Sequence, residues 1–248
     1  MTELKQHDNL YAHKMDWVEN FTFDESVASV FQDMIVRSVP GYRTTLAMIG
    51  VIASRFVTPG SKVYDLGCSL GAGTIIAANA SSTVDYEVIG VDTSQPMLQR
   101  CREMIDQQQP KAKVQLLCED IRNTAIAGAS VVLLNFTLQF IPVEDRLAMI
   151  RKIYEGLNPG GVMVLSEKIH FENPGKEELL YQLHHDFKRC NGYSDLEISQ
   201  KRNSLENTLI TETHQTHRKR LLEAGFASAD LWFQCFNFAS LVAVKGSD

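Results

Sequence analysis

The stretch KVYDLGCSLGAGT, residues 62–74, joins an apolar run to a dense series of small residues. The apolar residues on both sides of Asp65 are typical of a buried strand. Gly67, Gly71 and Gly73 permit a tight turn and a close approach of the backbone to another molecule. A turn of this kind between a strand and a helix exposes backbone N–H groups at the positive end of the helix. The stretch therefore predicts either a ligand-binding loop or a tight structural turn after a first strand.

The loop does not match the dinucleotide-binding pattern G-x-G-x-x-G, because Ser69 stands where the second glycine is required. Cys68 lies in the loop without an evident base partner, so we interpret it as a small packing residue. A glycine loop alone does not identify a ligand, and companion residues on the following strands decide its interpretation.

Short β-rich runs alternate with helical stretches from about residue 60 onward. The strand candidates span residues 62–67, 86–92, 113–120, 130–136 and 161–167. Helix candidates lie at 95–108 and at 143–158, the latter ending before a Pro-Gly-Gly stop. Nearly continuous Val, Ile and Leu strands separated by helices are typical of a parallel sheet that is covered on both faces. The predicted fold class is therefore α/β, with a doubly wound, Rossmann-like sheet.

Segments outside this alternation divide the chain further. Residues 1–60 have helical spacing that is broken at Pro40-Gly41, and they are predicted to form an N-terminal helical lid. Residues 61–248 are predicted to form the main domain, with a polar helical insertion at 169–211. The two aromatic and β-branched runs within 229–245 predict a terminal antiparallel hairpin.

Charge and cysteine content restrict the class of protein. A formal net charge of −6 over 248 residues argues against a broad nucleic-acid-binding face. The five cysteines are scattered without a C-x-x-C pair, which favours reduced thiols in a cytoplasmic protein. No signal peptide or membrane-spanning run is evident, and the histidines of THQTH (213–217) lack the further ligands of a metal site. We therefore predict a soluble cytoplasmic protein without a metal ion.

Polar residues follow the predicted strands at one edge of the sheet. Asp92 ends the second strand, where its carboxylate can accept hydrogen bonds from both ribose hydroxyls or, as an equal alternative, cap the next helix. Asp120 and Ile121 follow the third strand and suit an exocyclic amine and the face of an adenine. Asn135 ends the fourth strand, at the crevice of an open α/β sheet. Together these residues predict a nucleoside-binding crevice.

The order of the motifs resembles a known fold. VYDLGCSLG, VIGVD, CEDI, LLNFTLQF and LNPGGVMVLSE, followed by the terminal hairpin, are similar to the class I S-adenosylmethionine-dependent methyltransferases. The resemblance implies a seven-stranded sheet of order 3-2-1-4-5-7-6 whose last strand is antiparallel. The hairpin argues against a nicotinamide dehydrogenase, whose sheet continues in parallel.

A narrower resemblance extends over nearly the whole chain. FDESVASVFQDMIVRSVPGY, HHDFKRCNGYSDLEISQKRNSLEN and LWFQCFNFASLVAVK are similar to the carboxy-S-adenosyl-L-methionine synthase family. The resemblance implies a cytoplasmic transferase that converts S-adenosyl-L-methionine and prephenate to carboxy-S-adenosyl-L-methionine and phenylpyruvate. It also implies a homodimer that makes no direct contact with nucleic acid and passes its product to a separate tRNA carboxymethyltransferase for wobble-uridine (5-oxyacetyl) modification.

The same resemblance implies the residues that contact S-adenosyl-L-methionine or its carboxylated product. They are Tyr42, Gly67, Cys68, Ser69, Asp92, Thr93, Asp120, Ile121, Asn135 and Arg202. Without the resemblance, Tyr42 could equally be a core aromatic residue. Two other functions share these features: a small-molecule methyltransferase of the same fold and a non-enzymatic protein that binds S-adenosylmethionine.

Arg202 lies on a predicted helix of the insertion. The capping box formed by Ser194 and Glu197 predicts that this helix begins at Asp195. The residues predicted to share one stripe of it are Ile198, Arg202, Leu205 and Leu209. Arg202 either extends its guanidinium into solvent or binds a carboxylate in a bidentate way. The resemblance favours the second interpretation and implies a catalytic Arg202 that reaches the ligand carboxylate across a homodimer interface.

The adjacent histidines of the insertion have two interpretations. His184 and His185 could form a proton relay, although we favour solvated positions on a polar helix.

Overall fold

The computed structural model describes residues 7–15, 21–82, 85–205 and 208–247. Parts of the predicted lid and insertion, residues 1–6, 16–20 and 206–207, lie outside this description. The strands of the sheet are β1 (Lys62–Leu66), β2 (Glu87–Asp92), β3 (Lys113–Cys118), β4 (Ala129–Asn135), β5 (Leu157–Lys168), β6 (Ser228–Cys235) and β7 (Phe238–Val244). Each of them overlaps a strand that the sequence predicted.

The strands are arranged in the order β3-β2-β1-β4-β5-β7-β6. β1 to β5 all run parallel to one another. β7 lies between β5 and β6 and is antiparallel to both. The predicted sheet order and the terminal hairpin are therefore confirmed. Every residue of β4 before Asn135 is buried, as expected of a central strand covered on both faces.

Helices precede, connect and follow the strands in the described residues. They are α1 (Glu25–Ser38), α2 (Tyr42–Phe56), α3 (Ala72–Ala78), α4 (Gln95–Gln108), α5 (Val143–Gly156), α6 (Pro174–Cys190), α7 (Asp195–Leu205) and α8 (His214–Glu223), with a short 3-10 helix at Leu138–Phe140. The bounds of α4 agree with the predicted helix. None of the helices in the described ranges has both the length and the apolar content to cross a membrane.

Apolar side chains pack on both faces of the sheet. Ile150 and Ile153 of α5 and Leu221 of α8 belong to the core cluster on one face. Ile49 of α2 and Ala77 of α3 belong to the cluster on the other face. The sheet is thus covered on both sides, which confirms the doubly wound architecture.

The break between α1 and α2 is set by Gly41. Its φ of +77° lies in the left-handed region that favours glycine, and a side chain at this position would collide with the ring of Phe233 in β6. α1 begins after Asp24, whose side chain accepts a hydrogen bond from the N–H of Val27 at 2.9 Å. Because α1 also packs against α4 and α6, the N-terminal helices are attached both to the sheet and to the insertion.

The boundary between α5 and β5 differs from the prediction. The helix predicted at 143–158 ends at Gly156, and the strand predicted at 161–167 begins already at Leu157. Leu157 pairs with Ala129 of β4. The Pro-Gly-Gly sequence was expected to stop the helix, but it lies inside the strand because pairing with β4 sets the boundary.

α7 begins where the capping box predicted. The N–H of Ser194 donates to Glu197 Oε2 at 2.7 Å, and the N–H of Glu197 donates to Ser194 Oγ at 3.3 Å. The predicted apolar stripe, however, is wrong, because the helix ends before Leu209 is reached. The buried positions of α7 are Ile198, Gln200, Lys201 and Ser204, whereas Arg202 is exposed.

Candidate active site

A cavity of about 820 Å³ lies at the carboxyl ends of β1, β2 and β4, where residues of α1, α6 and α7 also line it. Nine of the ten predicted ligand-binding residues line this cavity: Tyr42, Gly67, Cys68, Ser69, Asp92, Thr93, Asp120, Ile121 and Asn135. They converge because β1 lies between β2 and β4, so the loops that follow these strands meet at one edge of the sheet.

The glycine loop is held tightly against the neighbouring strands. Gly67 has a φ of +83°, and its N–H donates to Val91 O at 2.8 Å. A side chain at position 67 would collide with Thr137, and one at Gly71 would collide with Cys101. Glycine is therefore required at both positions for the loop to pack this closely against Thr137 and Cys101.

Asp92 links the glycine loop to the start of α4. Its Oδ2 accepts a hydrogen bond from the N–H of Ser69 at 2.9 Å, and its Oδ1 accepts one from the N–H of Ser94 at 2.9 Å. The residue that caps α4 is Ser94, whose Oγ accepts from the N–H of Met97. The capping alternative for Asp92 is therefore wrong, and its contact with ribose stays a prediction. Burial raises the pKa of the Asp92 carboxyl.

Asp65 is a site residue to which the sequence analysis assigned no role. It is 2% exposed in the middle of β1, lines the cavity, and accepts a hydrogen bond from Thr74 Oγ1 at 2.7 Å. Burial raises the pKa of its carboxyl to about 6. The signal that could have identified it is a lone carboxylate inside an otherwise apolar strand.

Asp120 has a partner that the sequence did not predict. Arg122 binds its carboxylate in a bidentate way, with Nε 3.1 Å from Oδ1 and Nη2 2.7 Å from Oδ2. The guanidinium holds the pKa of Asp120 below its usual range. Ile121, beside it, is 5% exposed and lines the cavity. Asp120 remains an ionised acceptor at the cavity wall, in an orientation set by Arg122.

Asn135 has an unsatisfied polar atom at the cavity. Its Oδ1 is buried and has no hydrogen-bond partner among the described residues. Burying an amide oxygen without a donor is costly, so a donor supplied by a ligand would restore the missing bond. This observation fits the predicted contact between Asn135 and a ligand.

The chain after Asn135 is held in an uncommon conformation. Phe136 has a φ of +63°, and its N–H donates to Ser166 O at 2.7 Å. The fully buried Glu167 accepts hydrogen bonds from the N–H groups of Leu138 and Gln139 at 2.8 and 3.1 Å. These contacts direct the Phe136 ring into the cavity lining, where it lies 6.3 Å from the ring of Tyr42. Tyr42 thus lines the cavity instead of the core.

Cys68 has the properties of a packing residue. A hydrogen bond with Cys101 and burial raise the pKa of its thiol well above the ordinary value, which disfavours the thiolate. All five cysteines carry free thiols.

Three lysines and a histidine line the cavity beside the glycine loop. Lys168 ends β5, Lys188 lies on α6, and Lys201 lies on α7. His184 is only 3% exposed, and its Nε2 donates to Ser38 O at 2.8 Å. The expectation that His184 is solvated is therefore wrong, because α1 covers this face of α6. His185 is half-buried, and desolvation lowers its pKa to about 4.

Arg202 does not line the cavity within one chain. Its side chain is exposed, and Nη1 donates to Tyr181 Oη at 3.0 Å. The predicted contact of Arg202 with a ligand across a homodimer interface stays a prediction.

The sequence matches proteins of known family over almost its full length. A carboxy-S-adenosyl-L-methionine synthase from Actinobacillus pleuropneumoniae serotype 5b is 55% identical over 238 residues, covering 96% of this chain and 99% of that protein. A synthase of the same name from Trichlorobacter lovleyi is 56% identical over 242 residues, covering 97% and 99%.

The central part of the chain also matches a more general family and fold. The family model described as a methyltransferase domain matches residues 63–161. The solved structure of a putative S-adenosyl-L-methionine-dependent methyltransferase from Methanococcus maripaludis superposes with a TM-score of 0.61 at 20% identity, covering 95% of this chain and 99% of that one. At this identity the structural likeness shows the fold, whereas the full-length sequence matches are more specific. The chain therefore belongs to the carboxy-S-adenosyl-L-methionine synthase family.

Proposed function

We propose that the protein converts S-adenosyl-L-methionine and prephenate to carboxy-S-adenosyl-L-methionine and phenylpyruvate. The observation that carries the proposal is the convergence of nine predicted ligand residues on one cavity, in a chain whose full-length relatives are synthases of this name. The carboxylates of Asp92 and Asp120 and the unpaired Oδ1 of Asn135 supply the acceptors that ribose hydroxyls, an adenine amine and an ammonium group require.

The reaction can be written with balanced atoms and charges. Loss of carbon dioxide and hydroxide from the prephenate dianion leaves the phenylpyruvate anion. The hydroxide removes a proton from the sulfonium methyl group, which gives water and a sulfonium ylide. The ylide carbon then attacks carbon dioxide, and the new C–C bond produces the carboxylate of the product. The protein needs no strong base of its own, but it must hold the two substrates together.

Arg202 is the group that we assign to the new carboxylate. A guanidinium matches a carboxylate in a bidentate way and stabilises its negative charge as it forms. Because Arg202 is exposed in one chain, we propose that a homodimer brings it to the cavity of the partner subunit. The net charge of −6 fits a protein that makes the donor in the cytoplasm and leaves tRNA binding to a separate carboxymethyltransferase.

Mass spectrometry of the reaction products tests the proposal. Purified protein is incubated with S-adenosyl-L-methionine and prephenate, and we expect a product heavier than the substrate by one carbon dioxide, together with one equivalent of phenylpyruvate. Formation of only S-adenosylhomocysteine with a methylated acceptor would instead indicate a methyltransferase. Unchanged ligand without turnover would indicate a protein that only binds S-adenosylmethionine. Prephenate labelled with ¹³C in its ring carboxylate must place the label in the product.

A further inference from the structure

The three cavity lysines come from three successive elements of the chain. Lys168 ends β5, Lys188 lies on α6, and Lys201 lies on α7. All three line the same cavity. Lys188 is the common neighbour, because the positive charges of Lys168 and Lys201 both act on it. Bringing three ammonium groups together in a partly buried place costs free energy unless an anion lies among them.

The protein itself supplies little negative charge to this cluster. Lys201 donates to Ser38 Oγ at 3.1 Å and lies 3.7 Å from Asp8 Oδ2, so one carboxylate compensates one lysine. In the described part of the chain, no carboxylate lies within ion-pair distance of Lys168 or Lys188. Burial and the neighbouring charges lower the pKa of Lys188 to about 7. Glu177 acts on Lys168 only from beyond ion-pair distance, so a bound anion would supply the direct partner that both lysines lack among the described residues.

A row of rings joins this cluster to the rest of the cavity. The ring of Tyr42 lies 6.3 Å from that of Phe136, Phe136 lies 5.9 Å from Phe238, and Phe238 lies 4.9 Å from His184. All four residues line the cavity. Because His184 Nε2 donates to a carbonyl, its buried Nδ1 is an acceptor, and it has no partner among the described residues. The wall beside the lysines thus offers apolar ring surface and one free acceptor.

We propose that Lys168, Lys188 and Lys201 bind the carboxylates of the co-substrate, a cyclic dicarboxylic acid, with its ring against Phe136 and Phe238. The inference rests on the proposed function, in which prephenate is that acid. A dianion offers one carboxylate to each of the two lysines without an ion-pair partner and favours their charged forms, and a non-aromatic ring suits an aromatic wall. His184 Nδ1 can accept a hydrogen bond from a hydroxyl group on the same ligand.

The single carboxylate of S-adenosyl-L-methionine is the other anion that could bind here. It can pair with one of these two lysines and leaves the other without an ion-pair partner. The experiment must therefore measure the two substrates separately. Lys188→Gln removes one charge at nearly constant length, and Lys188→Arg keeps the charge. Lys219→Gln, at an exposed position of α8, is the matched control.

Two measurements are made on the full chain. The first is the steady-state KM for prephenate and for S-adenosyl-L-methionine. The second is calorimetric titration of prephenate into protein saturated with S-adenosylhomocysteine, which has no sulfonium methyl group and cannot react. For Lys188→Gln we expect prephenate binding to weaken by about tenfold to a hundredfold, because a charge-assisted contact is lost. The affinity for S-adenosyl-L-methionine should change less than about threefold in this variant. Retained affinity would also show that the variant is folded. Lys188→Arg should retain most of the prephenate affinity, and Lys219→Gln all of it.

The outcomes separate this inference from the proposed function. If Lys188→Gln weakens the binding of both substrates equally, the lysines hold the carboxylate of S-adenosyl-L-methionine and the inference is wrong. If wild-type protein turns over prephenate and both Lys168→Gln and Lys188→Gln leave its KM unchanged, the co-substrate binds elsewhere. If wild-type protein binds prephenate through these lysines but forms no carboxylated product, the subsite stands and the proposed reaction is wrong. Inorganic phosphate, titrated in parallel, must bind more weakly than prephenate, since equal affinity would indicate a general anion site.

Discussion

Asp92 Oδ2 lies 2.9 Å from the backbone nitrogen of Ser69, a residue with a φ of +48°. A serine in the left-handed region is strained, and the hydrogen bond to a partly buried carboxylate offsets part of that strain. The same carboxylate is the predicted acceptor of the ribose hydroxyls. One side chain thus both shapes the glycine loop and faces the place where the nucleoside is expected.

Replacing Asp92 should separate nucleoside binding from folding. Asp92→Ala removes two predicted ribose hydrogen bonds of about 1.5–3 kcal/mol each, so the affinity for S-adenosyl-L-methionine should fall by about a hundredfold or more. Thr213→Ala is the control, because it removes the cap of α8 at a position that does not line the cavity, and it should cost about 1 kcal/mol of stability without loss of nucleoside affinity. Calorimetry and urea unfolding of both variants make the comparison. Unchanged binding in Asp92→Ala would show that its carboxylate serves only the loop.

Asn135→Leu should affect stability and binding in opposite directions. The replacement removes a buried oxygen without a partner, so the free energy of unfolding without ligand should rise by about 1 kcal/mol. The rise in Tm on adding S-adenosyl-L-methionine should nevertheless be lost. Thr124→Val is the matched control, because Thr124 Oγ1 is also buried without a partner among the described residues but does not line the cavity. It should gain stability and keep the ligand-induced rise in Tm. A destabilised Asn135→Leu protein that still binds would contradict the proposed contact.

The affinity for S-adenosyl-L-methionine should depend on pH through Asp65. Burial raises its pKa to about 6, so below that pH the carboxyl is neutral and attracts a cationic ligand less. Binding of the sulfonium cation must then release a proton, and affinity should rise with pH up to about 6 by at most about tenfold per unit. Asp65→Asn retains an acceptor for Thr74 and should flatten this rise. Titrations at pH 5, 6 and 7 test it, and an unchanged slope in the variant would assign the dependence to another group.

Arg202→Ala should discriminate between two ligands that differ by one carboxylate. Affinity for carboxy-S-adenosyl-L-methionine should fall by about tenfold to a hundredfold, whereas affinity for S-adenosyl-L-methionine should change little. Arg202→Lys should restore only part of the loss, because an ammonium group keeps the charge but not the planar pair of donors. Arg189→Ala, which breaks exposed ion pairs with Asp186 and Asp195, is the control. Equal losses for both ligands would mean that Arg202 does not recognise the added carboxylate.

Local sequence patterns were sufficient to predict the strands of the sheet and most of the residues that line the cavity. The apolar runs of β1 to β5 each end in a polar or glycine-rich segment, so their chemistry and their spatial convergence follow from the sequence and from the parallel topology. The pairing of Leu157 with Ala129 could not be predicted in this way, because it depends on the position of a strand that lies earlier in the chain.

The covering helices were harder to interpret. His184 is buried by a contact with Ser38, which is 146 residues away, and Lys201 is buried beside Asp8. No pattern within α6 or α7 indicates these partners, and both helices are polar in composition. The predicted stripe of α7 also included Arg202, which is exposed, and omitted Lys201, which is buried. Burial of polar residues by distant segments is a property of the tertiary structure and is not visible in local spacing.

The lysine cluster also bears on how this reaction can arise in a common fold. The region that matches a general methyltransferase domain, residues 63–161, contains Asp65, Asp92 and Asn135, whereas the three cavity lysines all follow it in the chain. The predicted nucleoside contacts at the strand ends and the lysines proposed for the second substrate are therefore encoded in separate stretches, although Phe136 of the proposed ring contact lies in the first. Mutations in the later stretch can change which second substrate is bound, while the strand ends in residues 63–161 stay unchanged. On these assignments, a change of second substrate can be made in residues of β5, α6 and α7, whereas the strand ends predicted to hold the nucleoside need not change.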